Sequence, residues 1–298
     1  MGHLSKNEVI LSSSHDALLQ NKQKSQNPLY TDERSTALKQ SAPFAIITGA
    51  SRGIGADYAR ALAGQGYELL LIGRDVTRLE NLRQELQNVT QRVIWVESLD
   101  LSKPQAAQIL YDLSRSYRSE VSLLINNAGF GQYGDFTDMP LGSTRNMLQL
   151  HINTIVESIR LFLPAMLARK HGTIISVASV AGFFPIPYMT EYAATKAFLI
   201  AFSEGLARET RNQGVTIQVC CPGFTDTDFH QTAGHQPKQI FLAQSAQQVV
   251  QTSLQALKSK RTLVTIGWQG RLAYWISKLI PHKILMTIAG KSVKPPSN

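Results

Sequence analysis

From Phe44 to about Ile266 the sequence alternates, without a break, between short apolar runs and helix-length stretches. The runs are Phe44-Ala-Ile-Ile-Thr48, Glu68-Leu-Leu-Leu-Ile72, Val93-Ile-Trp-Val96, Val121-Ser-Leu-Leu-Ile125, Thr173-Ile-Ile-Ser-Val177 and Thr216-Ile-Gln-Val-Cys220. Each has strand length, and the most apolar of them read as strands buried on both faces rather than one. Strands that alternate with helices in this way must pair in parallel, because a helical crossover returns the chain to the same edge of the sheet. The expected fold class is therefore α/β, a doubly wound parallel β-sheet with helices on both faces, in a single domain over 44–266. Residues 1–43, rich in Ser, Gln, Asn and Lys without a sustained period, read as a flexible N-terminal extension. Residues 267–298 form a basic, apolar C-terminal segment.

The first run leads into Gly49-Ala-Ser-Arg-Gly53-Ile-Gly55, and a helical pattern follows to Gly66. Glycines allow a tight turn and a close backbone approach, while the free amides and positive dipole of a helix start attract phosphate. Strand, glycine loop and helix together point to a dinucleotide pyrophosphate, in a Gly-x-x-x-Gly-x-Gly variant of the usual spacing. The second run ends in Gly73-Arg74-Asp75. Arg74, with Arg52 in the loop, points to the extra phosphate of NADP(H). Asp75, an acidic residue that at this strand end would favour an unphosphorylated ribose, stands also where the next helix, to about Asn88, needs an N-cap. Asp100 after the third run is placed either to bond an adenine amino group or to cap the helix that Ser102 and Pro104 begin. Asn126-Asn-Ala-Gly129 after the fourth run is small enough for a cofactor to lie against the strand end, or is a simple turn.

Ser143 to Lys170 has helical periodicity, with Asn153 near its middle and Pro164 as a candidate kink. The fifth run delivers Ser179 to a carboxyl end of the sheet, where open α/β folds bind ligands. Tyr192 and Lys196 then lie four residues apart. If Thr190 opens a helix running to about Asn212, they share one face, and the ammonium is expected to pull the phenol's pKa down toward working pH. Ser179 would supply a second hydrogen bond to a substrate oxygen. Phe183-Phe-Pro-Ile-Pro-Tyr-Met189 between them reads either as an apolar wall for a lipophilic substrate or as loop packing.

Thr48-Gly-Ala-Ser-Arg-Gly-Ile-Gly55, Asn126-Asn-Ala-Gly129, Asn153, Ser179, Tyr192-Ala-Ala-Thr-Lys196 and Pro222-Gly223, in this order, resemble the short-chain dehydrogenase/reductase family. The resemblance implies a Rossmann-type sheet and an NADP(H)-dependent oxidoreductase that interconverts a carbonyl and an alcohol. It implies Tyr192 as the acid/base, Ser179 polarising the substrate oxygen, Lys196 tuning Tyr192 and holding the nicotinamide ribose, and Asn153 supporting a water-linked proton relay. The cofactor contacts expected on this reading are Thr48, Gly49, Ser51, Arg52, Gly53, Ile54, Gly55, Arg74, Asp100, Asn126, Ala128, Gly129, Tyr192, Lys196, Pro222, Gly223 and Thr227. It also implies a homodimer or homotetramer through the helices carrying Asn153 and Tyr192. Residues 228–243, without clear periodicity, are consistent with a mobile substrate lid. Against the enzyme stands one competing class, a non-catalytic NADP(H)-binding sensor or scaffold, which the intact Ser, Tyr and Lys set disfavours.

Cys220 and Cys221, adjacent in an apolar run, read as reduced core residues, and His230 and His235 as loop residues, so no metal site is expected. The N-terminus lacks a signal peptide's apolar core, and Lys6 breaks the myristoylation pattern that Met1-Gly2 opens, so the expected location is cytoplasmic. The formal charge is +9, and Lys258 to Asn298 holds eight Lys and Arg with no Asp or Glu. That segment reads as a solvated tail or as a contact for an anionic surface such as a membrane. Gly267 to Ile280, with Trp and Tyr beside Lys and Arg, suits an interfacial helix, a pocket cap or a subunit interface. No nucleic-acid-binding module accompanies the charge.

Overall fold

The computed structural model describes residues 42–225 and 243–293. It contains one seven-stranded, wholly parallel sheet. In chain order the elements are β1 (Phe44–Thr48), α1 (Gly53–Gly64), β2 (Glu68–Gly73), α2 (Val76–Gln87), β3 (Ile94–Ser98), α3 (Ala106–Tyr117), β4 (Leu123–Asn126), α4 (Leu141–Leu148), α5 (Thr154–Ala168), β5 (Gly172–Val177), α6 (Thr190–Glu209), β6 (Val215–Cys221), α7 (Ala246–Leu257), β7 (Leu263–Thr265), α8 (Gly267–Leu279) and α9 (His282–Val293). The expected lid at 228–243, with His230 and His235, lies outside the described residues except for its last residue, and the expected cofactor contact Thr227 also lies outside them. The N-terminal extension lies outside them up to residue 41.

The strand order is β3-β2-β1-β4-β5-β6-β7. The β1, β2 and β4 residues are all buried, as their unbroken apolar runs require. Alternate residues serve opposite layers. Ala45, Ile47, Leu69 and Leu71 meet Ala59 and Leu62 of α1, Leu79 of α2 and Val249 of α7. Phe44, Ile46, Leu70 and Ile72 meet Leu110 of α3, Ile159 of α5 and Leu199 of α6. A two-residue period in each strand thus feeds two separate cores, which is how one sheet holds helices on both faces.

Helix ends follow local chemistry. Asp75 caps α2, its carboxylate accepting from the Arg78 amide at 3.0 Å, and Ser245 with Gln248 forms a capping box on α7. The expected helix from Ser143 to Lys170 spans Leu141–Ala168 and runs through Pro164, but one π-helical turn at Gln149–Asn153 divides it. By length and composition this stretch could cross a membrane. Ile155, Ile159, Phe162 and Met166, however, bury in the α3 and α6 layer, so it is a core helix.

β2 and β3 lie on one side of β1, and β4 to β7 on the other, so the loops after β1 and β4 leave in opposite directions and open a crevice at the carboxyl ends. Thr48 fastens its two banks. Its hydroxyl donates to the Ile125 carbonyl at 3.1 Å and accepts from the Asn127 and Ala128 amides at 2.9 and 3.1 Å. Replacing Thr48 by Val keeps the shape but leaves two part-buried amides without an acceptor. Thr48→Val should lower stability by about 2 kcal/mol in urea unfolding. An unchanged midpoint would show that water replaces the hydroxyl.

Candidate active site

The crevice widens into a cavity of about 410 Å³. Its walls include Gly49, Ser51, Arg52, Gly53 and Ile54 from the glycine loop, Arg74 and Asp100 from the next two strand ends, and Ala128 and Gly129 after β4. Ser179, Tyr192, Lys196, Pro222 and Gly223 complete it. Gly49 and Gly53 have φ of 66° and 56°, the left-handed region that glycine enters without strain. Gly55 lies beneath them, where a Cβ would sit 2.2 Å from the Gly49 carbonyl oxygen, so its role is to let α1 begin this close to the loop. Arg52 precedes α1, and no side chain caps that helix start. Asn126, at the end of β4, carries a buried amide nitrogen with no hydrogen-bond partner among the described residues. An uncapped helix start, a glycine turn and two arginines form a cradle that fits the phosphates of a dinucleotide.

Four of the expected site residues within the described stretches do not line the cavity. Thr48 acts through the clamp described above and Gly55 through close packing. Asn126 belongs to the strand itself. Asn153 is the substantive correction, because its side chain is exposed and donates to Gln149 Oε1 at 3.0 Å, outside the site. Asp100 reaches the wall while its carboxylate also accepts from the Ser102 amide and hydroxyl at 3.0 and 2.7 Å, so it caps its own turn. Burial raises its pKa, but the Ser102 bonds and the charges of Arg74 and Lys103 outweigh that and leave it below the usual carboxylate value. Asn127, not singled out from the sequence, lines the cavity and donates its amide to the carbonyls of Thr48 and Gly49 at 2.9 and 3.1 Å.

β5 and α6 bring the polar set together. Ser179 follows β5, and its Oγ accepts from the Ala181 amide at 3.1 Å. The turn at Val180–Gly182 presses on α6, where a Cβ on Gly182 would meet the Lys196 carbonyl carbon at 2.7 Å. α6 opens at Thr190, and Tyr192 and Lys196 are both buried on its inner side. Lys196 Nζ donates to the Val177 carbonyl at 3.0 Å and lies 5.5 Å from the Tyr192 ring centre. Around the phenol stand Met147, Phe130, Ala181, Ile186 and Met189.

This burial corrects the expected electrostatics. Loss of solvent pushes the Tyr192 phenol up to about 12; its hydrogen bond with Ser179 pulls the other way but does not prevail. Desolvation likewise brings Lys196 down from 10.5 to about 8. At neutral pH the pair is a phenol beside an ammonium, poised to donate a proton rather than accept one.

His151 is the side chain that sequence reasoning missed. The π-helical turn leaves Asn153 outside and directs His151, fully buried, toward Tyr192 with ring centres 5.9 Å apart. Nε2 accepts from the Phe130 amide at 3.1 Å, so Nδ1 carries the proton and donates to Thr195 Oγ1 at 3.0 Å. The Thr195 hydroxyl in turn donates to the Tyr192 carbonyl at 2.8 Å. Burial and the nearby Lys196 charge hold the imidazole well below its ordinary pKa, and it is neutral. It ties the loop after β4 to the helix carrying Tyr192. The available signal was its place in the series Met147, His151, Ile155 and Ile159, a helical stripe otherwise apolar. Among the described residues no cluster of His, Cys, Asp and Glu could hold a metal, and the Cys220 and Cys221 thiols are buried and free.

Two measurements follow from these buried groups. A Lys196 pKa depressed in the folded state costs stability fully below pH 8, and the cost disappears as pH rises from about 8 toward 10.5. Lys196→Met should therefore lose activity yet gain stability on the order of 3 kcal/mol at pH 7, a gain that shrinks toward pH 10. A melting temperature below wild type at pH 7 would contradict this. His151→Leu leaves the Phe130 amide without an acceptor and should lower stability by roughly 1 to 3 kcal/mol in urea unfolding, whereas an unaltered midpoint would show that the tie carries nothing.

Comparison with known proteins places these features in context. Residues 43–238 match the model of the short chain dehydrogenase family. An uncharacterized oxidoreductase of Staphylococcus saprophyticus is 32% identical over 183 residues, covering 61% of this chain and 78% of that one. Very-long-chain 3-oxoacyl-CoA reductase-A of Danio rerio is 33% identical over 193 residues, covering 62% of this chain and 58% of the reductase, less than two thirds of its length. Among solved structures, a short-chain dehydrogenase from Sphingobium yanoikuyae in complex with NADPH superposes with a TM-score of 0.73 at 28% identity, covering 82% of this chain and 95% of that one.

Proposed function

The chain belongs to the short-chain dehydrogenase family and is an oxidoreductase of that family, and from this we propose that it is an NADP(H)-dependent reductase of a lipophilic ketone or acyl-type carbonyl. The observation that carries the reading is the half-buried Ser179 beside the buried Tyr192 and Lys196 at one end of a cavity whose other end is an uncapped helix start flanked by Arg52 and Arg74.

Arg52 and Arg74 suit the additional phosphate of NADP(H), the start of α1 suits the pyrophosphate, and Asp100 and Gly129 border the cavity between them. The bound cofactor supplies hydride chemistry. Ser179 donates a hydrogen bond to the carbonyl oxygen, and Tyr192, protonated at neutral pH, gives that oxygen its proton. The Lys196 ammonium offsets the charge that then develops on the phenolate and can replace the lost proton. His151, neutral with both nitrogens engaged, positions Tyr192 and takes no part in proton transfer. The apolar surround of Phe130, Met147, Ile186 and Met189 favours a lipophilic substrate, in line with the very-long-chain acyl substrate that the zebrafish relative's name records. A homo-oligomer through α5 and α6 is supported by Phe198, which stays exposed on α6 and stacks on Phe202 at 5.8 Å.

Oxidation of NADPH, followed by absorbance over a panel of 3-oxoacyl thioesters and bulky ketones, tests the proposal. Tyr192→Phe should lose about 10²- to 10⁴-fold in turnover while still binding NADPH by fluorescence titration. Arg74→Ser should weaken NADPH by roughly 10- to 100-fold and leave NADH nearly unaffected. NADPH binding without turnover across the panel would favour a sensor instead, and equal use of NADH would remove the phosphate assignment.

A further inference from the structure

α8 and α9 present an apolar face that the catalytic domain does not use. On α8, Trp268, Leu272, Trp275 and Leu279 fall within about 60° of arc at 100° per residue. They are 63%, 49%, 60% and 77% exposed. On α9, Ile284 and Ile288, four residues apart, are 50% and 58% exposed. The opposite sides of these helices are anchored to the domain. Tyr274 packs on Phe183 with ring centres 5.4 Å apart, Gly270 is buried against Thr265, and Gly290 lies against Pro187. The stripe is therefore held outward by a packed inner side.

Its occupant is indicated by charge. Arg271 and Lys278 flank the stripe on the same side of α8, and Lys258 to Asn298 contains eight Lys and Arg with no carboxylate side chain. In a two-fold contact with a second copy, this surface would meet itself, and each cation would face another with no acidic partner within the segment. An anionic lipid surface complements both features, with tryptophans at headgroup depth, leucine side chains against acyl chains and cations on phosphates. α8 has 13 residues, too few to cross a hydrocarbon core that needs about 20, so the helix would lie in the interface plane.

We propose that the outer face of α8, extended by α9, docks the protein on the surface of a bilayer rich in anionic lipid. The same helices lean on Phe183 and Pro187, in the segment that leads to Met189 at the cavity, so one layer of helix separates that segment from the docked face. The proposal does not depend on which substrate the site takes.

The full-length protein can be tested by flotation with vesicles of phosphatidylcholine alone and of phosphatidylcholine with phosphatidylserine, together with tryptophan emission. Wild type should float with the mixed vesicles and shift its emission to the blue, with at least tenfold weaker binding to phosphatidylcholine alone and release at high salt. The triple variant Trp268→Ser, Trp275→Ser, Leu279→Ser should lose flotation while keeping its circular dichroism and its activity on a soluble substrate. Arg271→Glu with Lys278→Glu should lose only the preference for anionic vesicles. Flotation of the triple variant equal to wild type would overturn the proposal, as would no flotation of wild type on either vesicle. A wild-type dimer that the triple variant converts to monomer in sedimentation, without lipid binding, would assign the face to a subunit interface instead.

Discussion

Where two neighbouring parallel strands send their loops in opposite directions, no backbone crosses the gap between them, and everything chemical in this protein is arranged around that gap. β1 and β4 make it, and the Thr48 hydroxyl with the Asn127 amide holds its banks at fixed separation. From one bank the glycine loop turns away to start α1. From the other, the segment after β4 runs back toward His151 and, through it, to α6. A floor of hydrogen bonds allows a cavity with polar groups at its ends to exist at the end of a sheet whose strands are otherwise apolar on both sides.

The polar groups at the far end of the cavity are set by desolvation more than by their mutual charge. A tyrosine and a lysine on the surface of a helix would attract each other weakly and titrate near their ordinary values. Buried behind β5 and its following turn, they shift in opposite directions, the phenol up and the ammonium down, because each loses solvent that favours its charged form. The result is a protonated donor next to a cation kept in place by one backbone carbonyl. His151 adds rigidity without adding a titrating group, since both of its nitrogens are engaged. Such an arrangement costs stability, a common property of sites built for chemistry.

Positions readable from the sequence were those whose role depends on backbone conformation or on neighbours along the chain. Gly49 and Gly53 mark a turn that needs positive φ, and Asp75 caps the helix it precedes. Ser179 arrives at a strand end because β5 ends two residues earlier. Tyr192 and Lys196 share a face because helices repeat every 3.6 residues. Errors arose where side-chain direction depended on contacts between distant elements. Of His151 and Asn153 it is His151 that faces the site, a choice made by the packing of its helix against Phe130 and Tyr192. Thr48 and Gly55 belong to the glycine motif, yet they serve the packing of β1 against β4 and of α1 against its own loop.

The sequence by itself determined the parallel α/β architecture, the glycine turn at the carboxyl end of β1 and the shared helical face of Tyr192 and Lys196, because hydrophobic period, glycine placement and helical spacing are local properties that survive any choice of tertiary contact. Tertiary structure alone decided the protonation states, the inward histidine and the outward stripe on α8. Those depend on which groups lose water, and solvent exclusion at one residue is produced by elements far away in the chain.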